Sequence, residues 1–308
     1  MDMKSIVFSA VIVALVPGVV QAFEHTGTTV TLGFEHTSPR GELADDGFPT
    51  FSGPQLTLRS GARMGQFSGR IELDLRQKAG GGERTETTRA ELHLAYAITD
   101  EIDIGAYHSR YRFSVGDDFG SFAETIRQTG LTVAYTGDGF GVDAFAGQMR
   151  LSESSDFRAR EFGVGGFVEA TPELRLGAVF ARLRESNEGF SGTTVGANAD
   201  YSFGNGLMAS ATVLQYRDDD GFRLRNVSLG LEYGTMAGSQ PMVLSAEVNR
   251  TSLGERAGSG GFQQVRLGVT VPLGSGATNT ALNSQRAVVA RRPVAISSLY
   301  DSIPLLRF

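Results

Sequence analysis

The sequence predicts an all-β protein: a transmembrane, antiparallel, up-and-down β-barrel of about fourteen strands, with twelve to sixteen compatible. Three observations predict it. Apolar residues alternate with polar or small ones at period two from Thr28 to Leu273. The alternating unit recurs about once per 18 residues over that region. The breaks between units alternate between short turns and longer, more charged segments.

The chain opens with a positive residue, Lys4, followed by an apolar run from Ile6 to Val16, a Pro17-Gly18 break and Val20-Gln21-Ala22. This is the layout of a secretory signal peptide over 1–22, with Phe23 the first mature residue. The alternative is a membrane anchor, but the run is shorter than the roughly 20 residues a spanning helix needs. The barrel is assigned to 23–273.

The strands follow in order. Val30, Leu32 and Phe34 mark the first, Leu56 and Leu58 the second, and Phe67, Ile71, Leu73 and Leu75 the third. The clearest pair runs from Thr87 to Phe113: Ala90, Leu92, Leu94, Tyr96 and Ile98 alternate with Arg89, Glu91, His93, Ala95 and Ala97, and Ile102 and Ile104 resume after Thr99-Asp100. A two-residue break is hairpin length. Further units are centred on Val133, Ala144, Val164, Leu176, Ala199, Ala211, Leu229, Leu244 and Leu267. The parity slips by one near Gly105-Ala106, where Tyr107, Tyr111 and Phe113 take odd positions, and again near Gly130 and Asn226. Such slips predict β-bulges, or strands rising above the membrane. A secreted sandwich or solenoid shares the alternation, but not its combination with the leader and the two-sided loop pattern.

The longest break, 36–50, and those at 78–85, 116–121, 152–156, 185–191, 218–221 and 250–261 are placed outside the cell. Residues 274–308 lie beyond the repeat. Arg286, Arg291, Arg292 and Arg307 against Asp301 make this tail net +3. It is assigned as a periplasmic tail, or as a plug entering an acidic lumen from below.

Composition excludes several classes. There is no cysteine, so no disulfide or thiolate metal site. A formal charge of −6 and a pI near 5.4 give no basis for nucleic-acid binding.

The barrel region resembles the Gram-negative porin superfamily. The likeness rests on the alternation and, locally, on the turn Ser60-Gly61-Ala62-Arg63-Met64-Gly65 and the strand Val265-Arg266-Leu267-Gly268-Val269-Thr270-Val271. The ending Tyr300, Leu306 and Phe308 is similar to the signal read by the barrel assembly machinery, although Pro304 interrupts it. The resemblance implies an outer-membrane location and passive diffusion of small hydrophilic solutes or ions. General porins fold a long third loop inward as a constriction. Here 116–121 is too short for that, so narrowing must come from wall side chains or the tail.

Two sets of residues are candidates for function. Arg70, Glu72, Asp74, Arg76, Arg89, Glu91 and His93 are predicted to line the lumen, either setting a field that selects solutes or pairing structurally across the ladder. Arg-x-Arg recurs four times, as Arg110/Arg112, Arg158/Arg160, Arg182/Arg184 and Arg223/Arg225. Alternate spacing puts both guanidinium groups of a pair on one face. Facing out at the extracellular ends they would meet lipopolysaccharide phosphates; facing in they would form an anion-favouring ring. The plain alternative is hydration and pairing with Asp117, Asp118, Glu185 and Asp218–Asp220.

No metal or cofactor motif is recognised; Asp218-Asp219-Asp220-Gly221 lacks calcium-loop spacing. His25 and His36 lie roughly 35 Å apart along a strand and cannot share a metal. No catalytic set is assigned, although a barrel hydrolase using His93 is one competing class. A structural or adhesive barrel with a closed lumen is the other. The sequence assigns no oligomeric state.

Overall fold

The computed structural model describes residues 24–273, apart from 118–119, 153–156, 187–188 and 256–257. The leader assigned to 1–22 and the tail 274–308 therefore lie outside the described residues. Within them the chain forms fourteen antiparallel strands. The first seven are β1 (Glu24–Gly41), β2 (Phe51–Met64), β3 (Phe67–Gly80), β4 (Glu83–Ala97), β5 (Ile102–Asp117), β6 (Gly120–Gly137) and β7 (Phe140–Leu151). The rest are β8 (Arg158–Glu169), β9 (Leu174–Glu185), β10 (Ser191–Ser202), β11 (Leu207–Asp218), β12 (Arg223–Ala237), β13 (Gln240–Glu255) and β14 (Gly258–Leu273). Each strand pairs with its sequence neighbours, and β1 pairs with β14, so the sheet is a closed barrel without an edge. One four-residue helix, α1 (Glu42–Asp45), lies in the connection from β1 to β2 and packs against β1 and β14.

Period two decides which way each side chain points. Leu32, Phe34, Leu131, Leu229 and Leu267 stand outward and are half or more exposed, while Thr31, Glu35, Asn226 and Gln264 beside them are buried. Outward apolar columns recur on every strand. An uninterrupted apolar surface of this extent is unfavourable in water and suits hydrocarbon. With every interior strand hydrogen-bonded on both sides, the backbone meets the condition for crossing a bilayer.

The two ends of the barrel differ. At one end the turns are tight, as at 65–66, 138–139 and 238–239. Gly139 and Gly238 take φ of 73° and 63° there, which only glycine adopts without strain. Aromatic side chains collect at this end: Phe67 against Tyr96 at 4.9 Å, Tyr135 against Phe140 at 5.5 Å and Tyr201 against Phe203 at 4.9 Å between ring centroids. They form half of the interfacial girdle expected of an outer-membrane barrel. The other end holds α1 and the longest connection, 42–50, although β3 and β4 are joined there by 81–82 alone.

Two expectations are corrected. Several breaks expected to be loops are strands that run on: β3 and β4 continue to Gly80 and from Glu83, and β13 and β14 to Glu255 and from Gly258. Beyond the apolar band both faces of a strand meet water, so polar composition there does not imply a loop. The predicted parity slips are also absent. The β4–β5, β5–β6 and β11–β12 ladders run without a shift, and among the described residues the recorded irregularity is between His25 and Gly27. Tyr107 and Tyr111 are not outward residues displaced by a bulge; they point inward and are buried.

Candidate functional site

The candidate site is the inner wall, which is assembled from two unlike arcs. On the first, from β12 through the seam to β4, polar side chains pair laterally. Glu35 on β1 sits opposite Arg266 on β14, which sits opposite Glu247 on β13. Arg266 donates from Nε to Glu35 Oε2 at 3.0 Å and from Nη1 to Glu247 Oε1 at 3.2 Å. Lys78 on β3 reaches past β2 to the same Glu35. Arg59 donates twice to Glu72 Oε2, at 2.9 and 2.6 Å. Arg89, 1 % exposed, bridges Glu72 at 2.9 Å and Asp74 at 3.3 Å, and Arg76 meets Asp74 at 2.8 Å. This distribution answers a register problem: Glu72 and Glu91 face each other directly, and the arginines around them offset the like charge. Arg70 lies 3.6 Å from Glu91. Amides extend the chain of bonds. Asn226 donates to Asn249 at 2.6 Å and to Thr251 at 2.8 Å, Asn249 to Gln264 at 3.2 Å, and Gln264 to Glu35 at 3.1 Å.

The second arc, β5 to β9, is apolar inside. Tyr107, Tyr111, Ile126, Phe145, Met149, Ala159, Ala181 and Leu183 form one buried cluster. Its large rings lie flat along the wall because the neighbouring inward positions are glycine. A methyl group at Gly130 or Gly147 would overlap Tyr107, and one at Gly163 would overlap Phe145. Within this arc Glu161 accepts from Gln128 at 2.7 Å, and Gln128 accepts from Ser109 at 3.0 Å. Toward the tight-turn end the interior opens: Arg70 is exposed, and Arg175 stacks over Phe167 at 3.7 Å from the ring centre. A small pocket lies against Thr31, Gln55, Ser210, Glu232, Ser245 and Glu247.

The residues predicted to line the lumen all face inward. Arg70, Glu72, Asp74, Arg76, Arg89 and Glu91 join through ion pairs along the wall, while His93 stands apart with Nε2 3.1 Å from Thr132 Oγ1. The other histidines also contact hydroxyls: His25 with Thr28, His36 with Ser52 and His108 with Thr129.

The eight Arg-x-Arg residues, Arg110, Arg112, Arg158, Arg160, Arg182, Arg184, Arg223 and Arg225, are exposed on the outer surface at the end away from the tight turns. They form no inward ring. Of the loop acids expected as their partners, Glu185 and Asp218 are buried on the inner face, while Asp219 bonds Ser191, to which Arg182 also donates at 3.4 Å. Asp118 lies outside the described residues. Among the described residues none of the eight makes an ion pair.

Sequence reading missed Glu35, Lys78, Arg59, Arg266, Glu247 and the amide chain. Glu35 between Phe34 and His36, and Arg266 between Val265 and Leu267, are inward charges of opposite sign at opposite ends of the barrel sequence. That complementarity is the available signal, and it becomes visible only once β1 and β14 are placed side by side.

No family model matches this chain, and no curated relative matches it in sequence. Solved structures do match in fold. The CymD monoaromatic hydrocarbon channel is similar with a TM-score of 0.55 at 12% identity, over 81% of this chain and 89% of that one. A Pseudomonas aeruginosa FadL homologue gives 0.53 at 10%, over 82% and 90%. An anion-selective porin from Comamonas acidovorans gives 0.52 at 10%, over 82% and 100%. The fold is that of the porin-like outer-membrane barrels.

Proposed function

We propose that the protein is an outer-membrane channel through which small hydrophilic solutes or ions diffuse passively, with a narrow bore set by wall side chains. The observation that carries this reading is the inside-out barrel: an apolar exterior around an inner wall rich in charge. The likenesses support the architecture, and because it serves hydrocarbon channels and an anion-selective porin alike, solute preference is read from this chain's own inner wall. From β6 to β12 the inward ionisable side chains include Asp143, Glu161, Glu185, Asp200 and Glu232, and Arg175 is the one inward base there among the described residues. That surplus favours cations.

Planar-bilayer recordings of the mature protein test the proposal. The expected result is small, cation-preferring conductance that rises in Arg89→Ala, which removes a buried guanidinium from the inner wall. Anion preference would overturn the selectivity. Silence in both proteins would favour a second reading, a structural barrel with a closed lumen, for which the near-complete burial of Arg89, Gln128, Asn226 and Gln264 speaks. The +3 tail is proposed as a partial plug; deletion of 274–308 is then expected to raise conductance, and an unchanged value removes that role.

A further inference from the structure

Outside the barrel, arginine is concentrated on one arc, with Arg40 and Arg84 the outward arginines of the other among the described residues. Besides the four Arg-x-Arg pairs, Arg127, Arg150, Arg217 and Arg250 are exposed on the outer surface of β6, β7, β11 and β13, at the same end. The ladders set many of them side by side. Arg110 faces Arg127, Arg127 faces Arg150, and Arg150 faces Arg158, a row of four guanidinium groups across four strands. Arg160 faces Arg184, and Arg217 faces Arg223. No outward position within strands β5 to β13 carries a carboxylate among the described residues.

Directly opposed side chains stand about 5 Å apart, and like charges placed there destabilise the sheet. A fold maintaining five such pairs without an acid between them bears a repulsion that an external anion would relieve. Elsewhere the protein does not do this: on the remaining arc Arg84 pairs with Glu86 at 3.3 Å, and Arg40 donates to Gln263.

The height of the belt identifies the anion. The apolar columns end at it: Phe162 is followed outward by Arg160, Phe180 by Arg182, Val227 by Arg225 and Val248 by Arg250. On β12 the rise from Arg225 to the interfacial Tyr233 is about 20 Å along the membrane normal for a strand tilted by about 40°. The guanidinium groups therefore stand where the hydrocarbon ends and headgroup phosphates begin. With the N-terminus of β1 and the tight turns on the periplasmic side, that layer belongs to the outer leaflet.

We infer that β5–β13 carries a belt that binds the phosphates of lipopolysaccharide, with the row Arg110–Arg127–Arg150–Arg158 at its centre. A polyphosphorylated lipid suits such a row, because one molecule presents several anionic groups to neighbouring forks that each bind bidentately. The inference rests on the outer-membrane reading but not on conduction, so bilayer recordings and the following assay fail separately.

The test uses the mature barrel in neutral detergent, titrated with purified lipopolysaccharide, its enzymatically dephosphorylated form, and phosphatidylglycerol micelles. The expected result is saturable binding of lipopolysaccharide, at least tenfold weaker for the dephosphorylated form and for phosphatidylglycerol. R127Q/R150Q should weaken binding at least tenfold, and R40Q/R84Q on the other arc should leave it unchanged. Thermal unfolding supplies a second readout: R127Q/R150Q is expected to melt above the parent without lipopolysaccharide and below it with lipopolysaccharide. Undiminished binding by R127Q/R150Q, equal loss in R40Q/R84Q, equal affinity for phosphatidylglycerol, or no crossover in melting would overturn the assignment.

Discussion

The two arcs of the wall obey one alternation and use it in opposite ways. From β14 through β4 the inner face carries buried, paired charge, and the outer face passes from apolar residues through Ser38, Gln77 and Thr88 to Arg40 and the Arg84–Glu86 ion pair. From β5 to β9 the inner face holds a tyrosine, phenylalanine and methionine cluster, and the outer face ends in arginine. Period two therefore fixes facing but not polarity. What each face carries depends on what it meets: a neighbouring strand's charge, a bulky ring, lipid or headgroup.

That contrast can be broken, most severely at the seam. Glu35→Leu leaves Lys78 and Arg266 buried beside an apolar group, and removing one partner of a buried ion pair costs about 3–5 kcal/mol. The chain has no tryptophan, so unfolding is best followed by circular dichroism during a urea titration in detergent. A loss below about 1 kcal/mol would show that the charges act independently of closure. On the outer wall, Leu229→Arg places in mid-band the residue that the belt keeps at the edge. It is expected to cost about 2–4 kcal/mol in a lipid-reconstituted unfolding experiment; a neutral outcome would mean that this face does not meet hydrocarbon.

Smaller effects sharpen the picture. Asn226→Ala leaves Asn249 and Thr251 short of a donor, for about 1–3 kcal/mol by the same titration. Arg84→Gln removes an ion pair whose two side chains are 62 % and 56 % exposed, and should change stability by less than about 1 kcal/mol. If Arg84→Gln proved as costly as Glu35→Leu, the distinction between buried and rim charge would fail.

Much of this was legible in the sequence, and the failures share one cause. Strand number, closure and the inward facing of Arg70 through Arg76 follow from alternation, because in those stretches every apolar residue faces lipid. Tyr107 and Tyr111 defeat the same rule: on their arc the inside is apolar as well, so an inward aromatic reads as an outward one displaced by a bulge. The facing of Arg110 and Arg112 was open for the same reason, since reversing the parity of β5 reverses them too. Their neighbours Arg127 and Arg150 were invisible as a row because no sequence spacing expresses cross-strand register. Glu35 and Arg266, 231 residues apart, were hidden by that distance.

The same separation has a consequence for assembly. Joining the two ends of so long a chain costs loop-closure entropy on the order of 5 kcal/mol, charged only when the final hairpin docks on the first strand. Until then Glu35 lacks Arg266, and the amide relay from Asn226 stops short at Gln264. A chain truncated before β14 would leave that carboxylate with Lys78 and the Thr37 hydroxyl, at an open ribbon edge, so completion of the ring is rewarded in one step and partial rings are left in deficit.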